Sequence, residues 1–179
     1  MTAAEALDLD NALWRFVLPF YGSTGVSPAC LTLQDRLGVD VNIVLLAAYA
    51  AVERGVVLDR ADIAAADELV RGWRHEVVEP LRRVRNRMKA GPAPAPSPAT
   101  EPLRNKIKAA ELDGEQIALA VLFAWLERRP PRATAEKSAP EAVARYFHPQ
   151  GKFSPDVEVA LKTLSQAIRE VGAAKAGQR

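Results

Sequence analysis

Cysteine occurs once in the 179 residues, at position 30, so an intrachain disulfide is impossible and zinc patterns built on several cysteines are excluded. Histidine occurs only at His75 and His148, too few for a multi-histidine metal centre. Aromatic residues make up 6% of the chain, and the sequence has no phosphate loop, no GxGxxG, no GxSxG elbow and no HExxH. These absences lean away from an enzyme and leave no catalytic residue, no metal ligand set and no cofactor to name. No apolar run reaches the roughly 20 residues of a spanning helix, which argues against membrane insertion. The opening MTAAEALDLDNALW carries acids where a secretory signal carries a basic region, so a cytoplasmic location is expected.

What the chain has is alanine, leucine and charge. Hydrophobic residues make up 49%, with much of that alanine, which loses almost no side-chain entropy in a helix. An all-α fold follows. Leu9, Leu13, Phe16, Val17 and Phe20 recur at helical spacing, with Asp8 or Asp10 available as a cap and Pro19 as the expected end or kink. Ser27-Pro28 reads as the start of a second helix that Gly38 closes. Asp40 caps an apolar third helix up to Gly55, and Asp59 caps a long fourth. There Ile63, Ala66, Val70, Trp73, Val77, Leu81, Val84 and Met88 form a seam expected to pack over its whole length, with a kink near Glu76 imposed by Pro80. A fifth helix, from about Pro102 to Glu127, presents Leu103, Ile107, Ala110, Gly114, Ile117, Val121 and Trp125 on one face, with Gly114 a weak point.

Proline lacks the amide donor, so GPAPAPSP at 91–98 predicts an extended, semi-rigid linker. The expected organisation is a bundle of about five helices over residues 1–126 with a Pro/Ala-rich linker at 90–99 inside it. A second linker follows at 127–139, then a helical tail at 140–172 forming a hairpin, and a disordered end at 173–179.

Charge is polarised along the chain. Residues 1–70 hold four basic and ten acidic side chains, whereas residues 71–89 hold seven basic and two acidic. Arg71, His75, Arg82, Arg85 and Lys89 fall on one stripe of the fourth helix. Such a stripe suits nucleic-acid phosphates or an acidic surface. The expectation preferred here is that its arginines answer the acids of residues 1–70, because no stacking aromatics are interleaved with them.

The densest polar cluster is QDRLGVDVN, residues 34–42. One reading has Asp35, Asp40 and Asn42 jointly holding a divalent cation through oxygen ligands. The preferred one has Asp40 as the third helix's cap, Asp35 paired with a base of the fourth helix, and Asn42 satisfying backbone groups at the corner. Cys30 near the start of the second helix is read as a packed apolar residue rather than a nucleophile.

LWRFVLPFYGSTGVSPACLTLQDRLGVDVNIVLLAAY, WRHEVVEPLRRVRNRMK and LRNKIKAAELDGEQI, taken in that order, resemble an uncharacterised proteobacterial family of small helical proteins, a domain of unknown function. The resemblance covers about residues 9–126 and implies a fold but no chemistry. Joint occurrence of the corner and the arginine helix suits a pairing of Asp35 and Asp40 with Arg74 or Arg82. The candidate functional cluster is therefore Gln34, Asp35, Asp40, Asn42, Trp73, Arg74 and Arg82. The expected function is that of a non-enzymatic accessory protein with a protein partner or a second copy of itself. The competing expectations are a small-ligand or metal-dependent enzyme at the acidic corner, and nucleic-acid binding along Arg71–Lys89.

Overall fold

The computed structural model describes residues 7–129 and 138–177, and these are all-α, with no strand. Asn11, not Asp8 or Asp10, starts α1 (Ala12–Tyr21): its side chain accepts the Trp14 N–H at 2.9 Å. Pro19 lies in the last turn, and the helix ends two residues later. Helix α2 (Val26–Leu37) begins from Gly25, so Ser27 and Pro28 lie inside it rather than at its boundary. Gly38 closes it in the left-handed region, at φ +67°, where a side chain would be strained. Only two residues then precede α3 (Val41–Arg54), whose cap Asp40 accepts the Asn42 N–H at 2.8 Å. That tight turn is the α2–α3 corner.

Helix α3 is the axis of the molecule. Every residue from Asn42 to Ala50 is buried, as expected for a helix with no polar face, and it contacts α1, α2, α4, α6, α7 and α8. Asp59 caps α4 (Arg60–Trp73) through the Asp62 N–H at 2.7 Å.

The kink expected from Pro80 takes the form of a π-helical turn at Arg74–Val78, leading into α5 (Glu79–Arg87). Proline cannot donate to the carbonyl four residues back, and the wider turn accommodates that loss. It also inserts one residue into the helical phase. Ile63, Ala66 and Val70 are buried as the seam predicts, but beyond the turn Val78 is buried in place of Val77, and α5 buries nothing fully. The seam therefore does not run the whole length.

Residues 90–100 form successive turns, including an Ala95 N–H to Pro92 carbonyl bond at 2.9 Å, instead of an extended linker. Helix α6 (Glu101–Glu127) buries Glu111, Gly114, Ala118, Leu119, Ala120, Leu122 and Leu126. This face is rotated from the predicted one, and Leu103 is exposed. Gly114 is a point of close approach: a Cβ there would lie 3.3 Å from Val78 Cγ2.

Most of the predicted linker at 127–139 falls on residues 130–137, outside the described residues. Beyond it come α7 (Ala139–Phe147) and α8 (Pro155–Ala176). The hairpin is part of the main core, not an appendage. Val143, Val157, Leu161 and Leu164 belong to the same hydrophobic cluster as Leu13, Ile43 and Ile63, with α8 lying along α2 and α3. Helix α8 also continues through residues 173–176, expected to be disordered; Gln178 and Arg179 lie outside the described residues.

Candidate functional site

Asp40 does two jobs at the corner. One carboxylate oxygen caps α3, and the other accepts from Arg74 Nη1 at 2.7 Å. The same Arg74 nitrogen lies 2.7 Å from Asp67 Oδ1 on α4. Asp67 Oδ2 in turn accepts from Arg71 at 2.9 Å and from the Tyr146 hydroxyl of α7 at 3.1 Å. Burial pushes the Asp67 carboxyl up, and the hydrogen bonds from Arg74 and Arg71 outweigh it, leaving its pKa below the usual aspartate range.

A second knot lies one helical stretch further on. Arg82 Nε donates to Glu111 Oε1 at 2.9 Å, its Nη1 donates to Gln34 Oε1 at 2.9 Å, and its Nη2 bonds Glu115. Arg85 also bonds Glu111, through Nε and, at 3.1 Å, through Nη2. Burial raises the Glu111 pKa, but its two arginines bring it below the ordinary glutamate value. Glu115 goes the other way: burial raises its pKa further than Arg82 lowers it.

Between these knots lies a cavity of about 430 Å³, lined by Gln34, Asp35, Asp40, Asn42, Arg74 and Arg82 among others, with Glu79 and Glu115 also in the wall. Six of the seven residues singled out from the sequence thus meet at one cavity. Trp73 does not. It is 37% exposed, and its indole N–H donates to the Gly114 carbonyl of α6 at 2.8 Å, a packing role.

Two expectations about the corner are corrected. Asp35 is exposed on the cavity rim and pairs with no base of α4 or α5; the lining arginines Arg74 and Arg82 are taken by Asp40, Asp67, Gln34, Glu111 and Glu115. Asn42 satisfies no backbone group with its side chain: its backbone N–H goes to Asp40, while its carboxamide faces the cavity, only 9% exposed and without a hydrogen-bond partner among the described residues. The divalent-cation alternative is weakened by the same geometry, since both Asp40 oxygens already hold donors. Among the described residues no three His, Cys, Asp or Glu side chains are grouped to hold a metal ion.

Residues 12–122 match the family described as a protein of unknown function, DUF2390. The chain belongs to this family. No curated protein and no solved structure matches it. The DUF2390 region agrees with the resemblance read over residues 9–126 and contains the whole cavity wall. The exception to this containment is in the ion-pair network behind the cavity, where Tyr146 reaches Asp67 from beyond the DUF2390 boundary.

The arginines of the basic stripe are paired within the chain, while Lys89 is exposed and, among the described residues, unpaired through its side chain. Arg71, Arg74, Arg82 and Arg85 all bond acids, and His75 Nδ1 lies 2.9 Å from Glu79 Oε2. Only half of this pairing follows the charge count. Asp40, Asp67 and Glu68 answer Arg71 and Arg74, but Arg82 and Arg85 are answered by Glu111 and Glu115 of α6. Those two acids were missed, although a Glu pair at i and i+4 opposite arginines at i and i+3 is a usable signal. Cys30 is fully buried within α2, and burial pushes its thiol up to about 12, which removes any nucleophilic role. No helix among the described residues is long and apolar enough to cross a membrane.

Proposed function

We propose that the protein binds a small cationic molecule bearing N–H donors in the cavity at the α2–α3 corner. One observation carries this. Each of Asp40, Arg74, Arg82 and Glu111 is already paired, whereas the Asn42 carboxamide and the Asp35 carboxylate face the cavity with no partner among the described residues. Both groups keep contact with solvent and have hydrogen-bonding capacity that no side chain of the wall uses, so a ligand entering the cavity can take it. The lining carries four carboxyl groups, on Asp35, Asp40, Glu79 and Glu115, against two guanidinium groups, on Arg74 and Arg82. That imbalance favours a cation over an anion. The surrounding ion pairs hold the walls in place, which lowers the ordering cost of binding.

A protein partner or a second copy, favoured by the long apolar seams, draws less support. Ile63 and Val70 of α4 and Val157 and Leu164 of α8 are buried in this chain's own core. Nucleic-acid binding draws less support from a stripe whose three arginines, with neighbouring Arg74, are paired to acids of this chain.

The test is a thermal-shift and calorimetric titration of the full chain against small primary amines and guanidines, with matched amides and carboxylates. Amines should raise the melting temperature saturably, and Asp35→Asn and Asn42→Ala should each remove the rise. Equal shifts with carboxylates, a shift that survives Asp35→Asn, or no shift at all would sink the reading.

A further inference from the structure

A second cavity of about 540 Å³ adjoins the first across a shared wall that includes Gln34, Asp35, Asn42 and Arg82, and its chemistry is different. Its floor is apolar and closed: Val17 of α1, Leu45 of α3 and Leu119 of α6 are each almost fully buried. Its mouth is apolar and open. Leu18 is 55% exposed, Leu31 46% and Leu112 51%, three leucines from three different helices converging on one opening. A single exposed leucine is unremarkable, but a cluster that continues inward to a buried floor marks a binding surface.

The rim supplies charge. Arg82 and Arg85 line this cavity but are taken by Glu111, Glu115 and Gln34. Lys89, just after α5, and Lys108, on α6, line it too, and their ammonium groups have no ion pair or hydrogen bond among the described residues. The acids of the wall are distributed differently: Glu111 and Glu115 are paired, and Asp35 lies at the junction with the polar cavity. Two uncommitted ammonium groups therefore stand at the edge of an apolar slot.

We propose that this second cavity binds a free single-chain amphipathic anion, an aliphatic carboxylate or monoalkyl phosphate. Its chain lies along Leu18, Leu31 and Leu112 and its head meets Lys89 and Lys108. The volume is in the small-molecule range, enough for one medium-length chain and too small for a two-chain phospholipid. Lysine stems can lie along apolar surface while their ammonium groups stay in water, which suits Lys89 and Lys108 in this lining. The proposal uses groups on α1, α2 and α6 and just beyond α5 that the polar-ligand reading does not, so either can fail alone.

The experiment is calorimetric titration of the full chain with dodecanoate and dodecyl phosphate below their micelle concentrations, with dodecyltrimethylammonium, which has no N–H donor, as the charge control and anionic vesicles as the membrane control. Trp14 lines the cavity, so a chain brominated at its far end reports location through fluorescence quenching. The expected result is saturable one-to-one binding of both anions, about tenfold weaker after Lys89→Glu with Lys108→Glu. Quenching should be largely lost in Trp14→Phe. The proposal is overturned if neither anion binds, if dodecyltrimethylammonium binds as well as dodecanoate, or if charge reversal changes nothing. It is also overturned if Trp14→Phe leaves the quenching intact, or if only vesicles bind. An acidic amphipathic peptide that binds where dodecanoate does not would assign the groove to a protein partner and overturn it as well.

Discussion

Arg74 and Asp40 are joined at 2.7 Å across 34 positions of sequence, which fastens the cap of the central helix to the end of α4. Both side chains are largely withdrawn from water, Arg74 at 16% and Asp40 at 6% exposure, and the same guanidinium holds Asp67. Removing the arginine leaves Asp40 with no cationic partner and Asp67 with only Arg71 and Tyr146.

Arg74→Ala is expected to destabilise the fold by about 3 kcal/mol, the scale for breaking a largely buried ion pair from one side. Arg74→Met combined with Asp40→Asn should recover part of that loss, because asparagine still caps α3 and no charge is left unpaired at the cap. Urea unfolding of the single and double variants measures both. Equal loss in the two would mean that the pairing contributes nothing beyond packing.

The corner was legible because its determinants are local or simply electrostatic. Capping acts over two or three residues, so Asp40 and Asp59 are recognisable from the residues around them, and the excess of acid before residue 70 pointed to Arg74. The α6 half was not legible. Its buried face was phased on Leu103, Ile107 and Ala110, whereas the chain buries Glu111, because Arg82 and Arg85 make an inward glutamate favourable. Helical periodicity sees apolar residues, not acids that bring their own counter-charges with them. Tyr146 was missed for a related reason: nothing near it in sequence indicates Asp67, 79 positions away.

Acid should unfold the protein through Asp67 and Glu111. Their folded pKa values lie below the ordinary ones, so the native state binds fewer protons there and the stability they contribute is present at neutral pH. It is lost as pH falls below about 4 and through the lowered values. Asp67→Asn should flatten that slope in chemical unfolding measured across the acid range; an unchanged slope would assign acid unfolding elsewhere.

Glu115 and Glu111 should respond oppositely to neutralisation. Glu115 has a raised pKa, so its contribution is full below the unfolded glutamate value and is lost as pH rises through the folded one. Glu115→Gln is therefore expected to be neutral or stabilising at pH 7, keeping an acceptor for Arg82. Glu111→Gln should cost about 2 kcal/mol by weakening two charged hydrogen bonds. Denaturation midpoints at matched pH decide this, and a loss from Glu115→Gln as large as that from Glu111→Gln contradicts it.

Leu164→Ala is expected to cost about 3 kcal/mol, as for a large-to-small change in a closed core, since Leu164 is fully buried among residues of the main cluster. A separable tail would lose almost nothing from the same change. Thermal unfolding monitored by far-ultraviolet circular dichroism distinguishes one cooperative transition from two.

Cys30 should resist alkylation in the native protein at pH 8 and react once the chain is unfolded, because its thiol is fully buried and pushed up to about 12. Time-resolved labelling followed by mass measurement reads this directly, and the labelling rate reports opening of α2. Rapid native labelling would place Cys30 at a mobile surface instead.

The π turn at Arg74–Val78 makes the two helices on either side of it separately adjustable. With its extra residue, α4 is seated against α3, α6 and α7 while α5 packs on α6 in a different helical phase. Deleting one residue from the turn would rotate α5 by about 100° relative to α4, swinging Arg82 and Arg85 off Glu111 while leaving Ile63, Ala66 and Val70 seated. The turn is thus a coupling with a fixed offset, and the two cavities between α2, α3 and α6 exist at that offset and not at the neighbouring one.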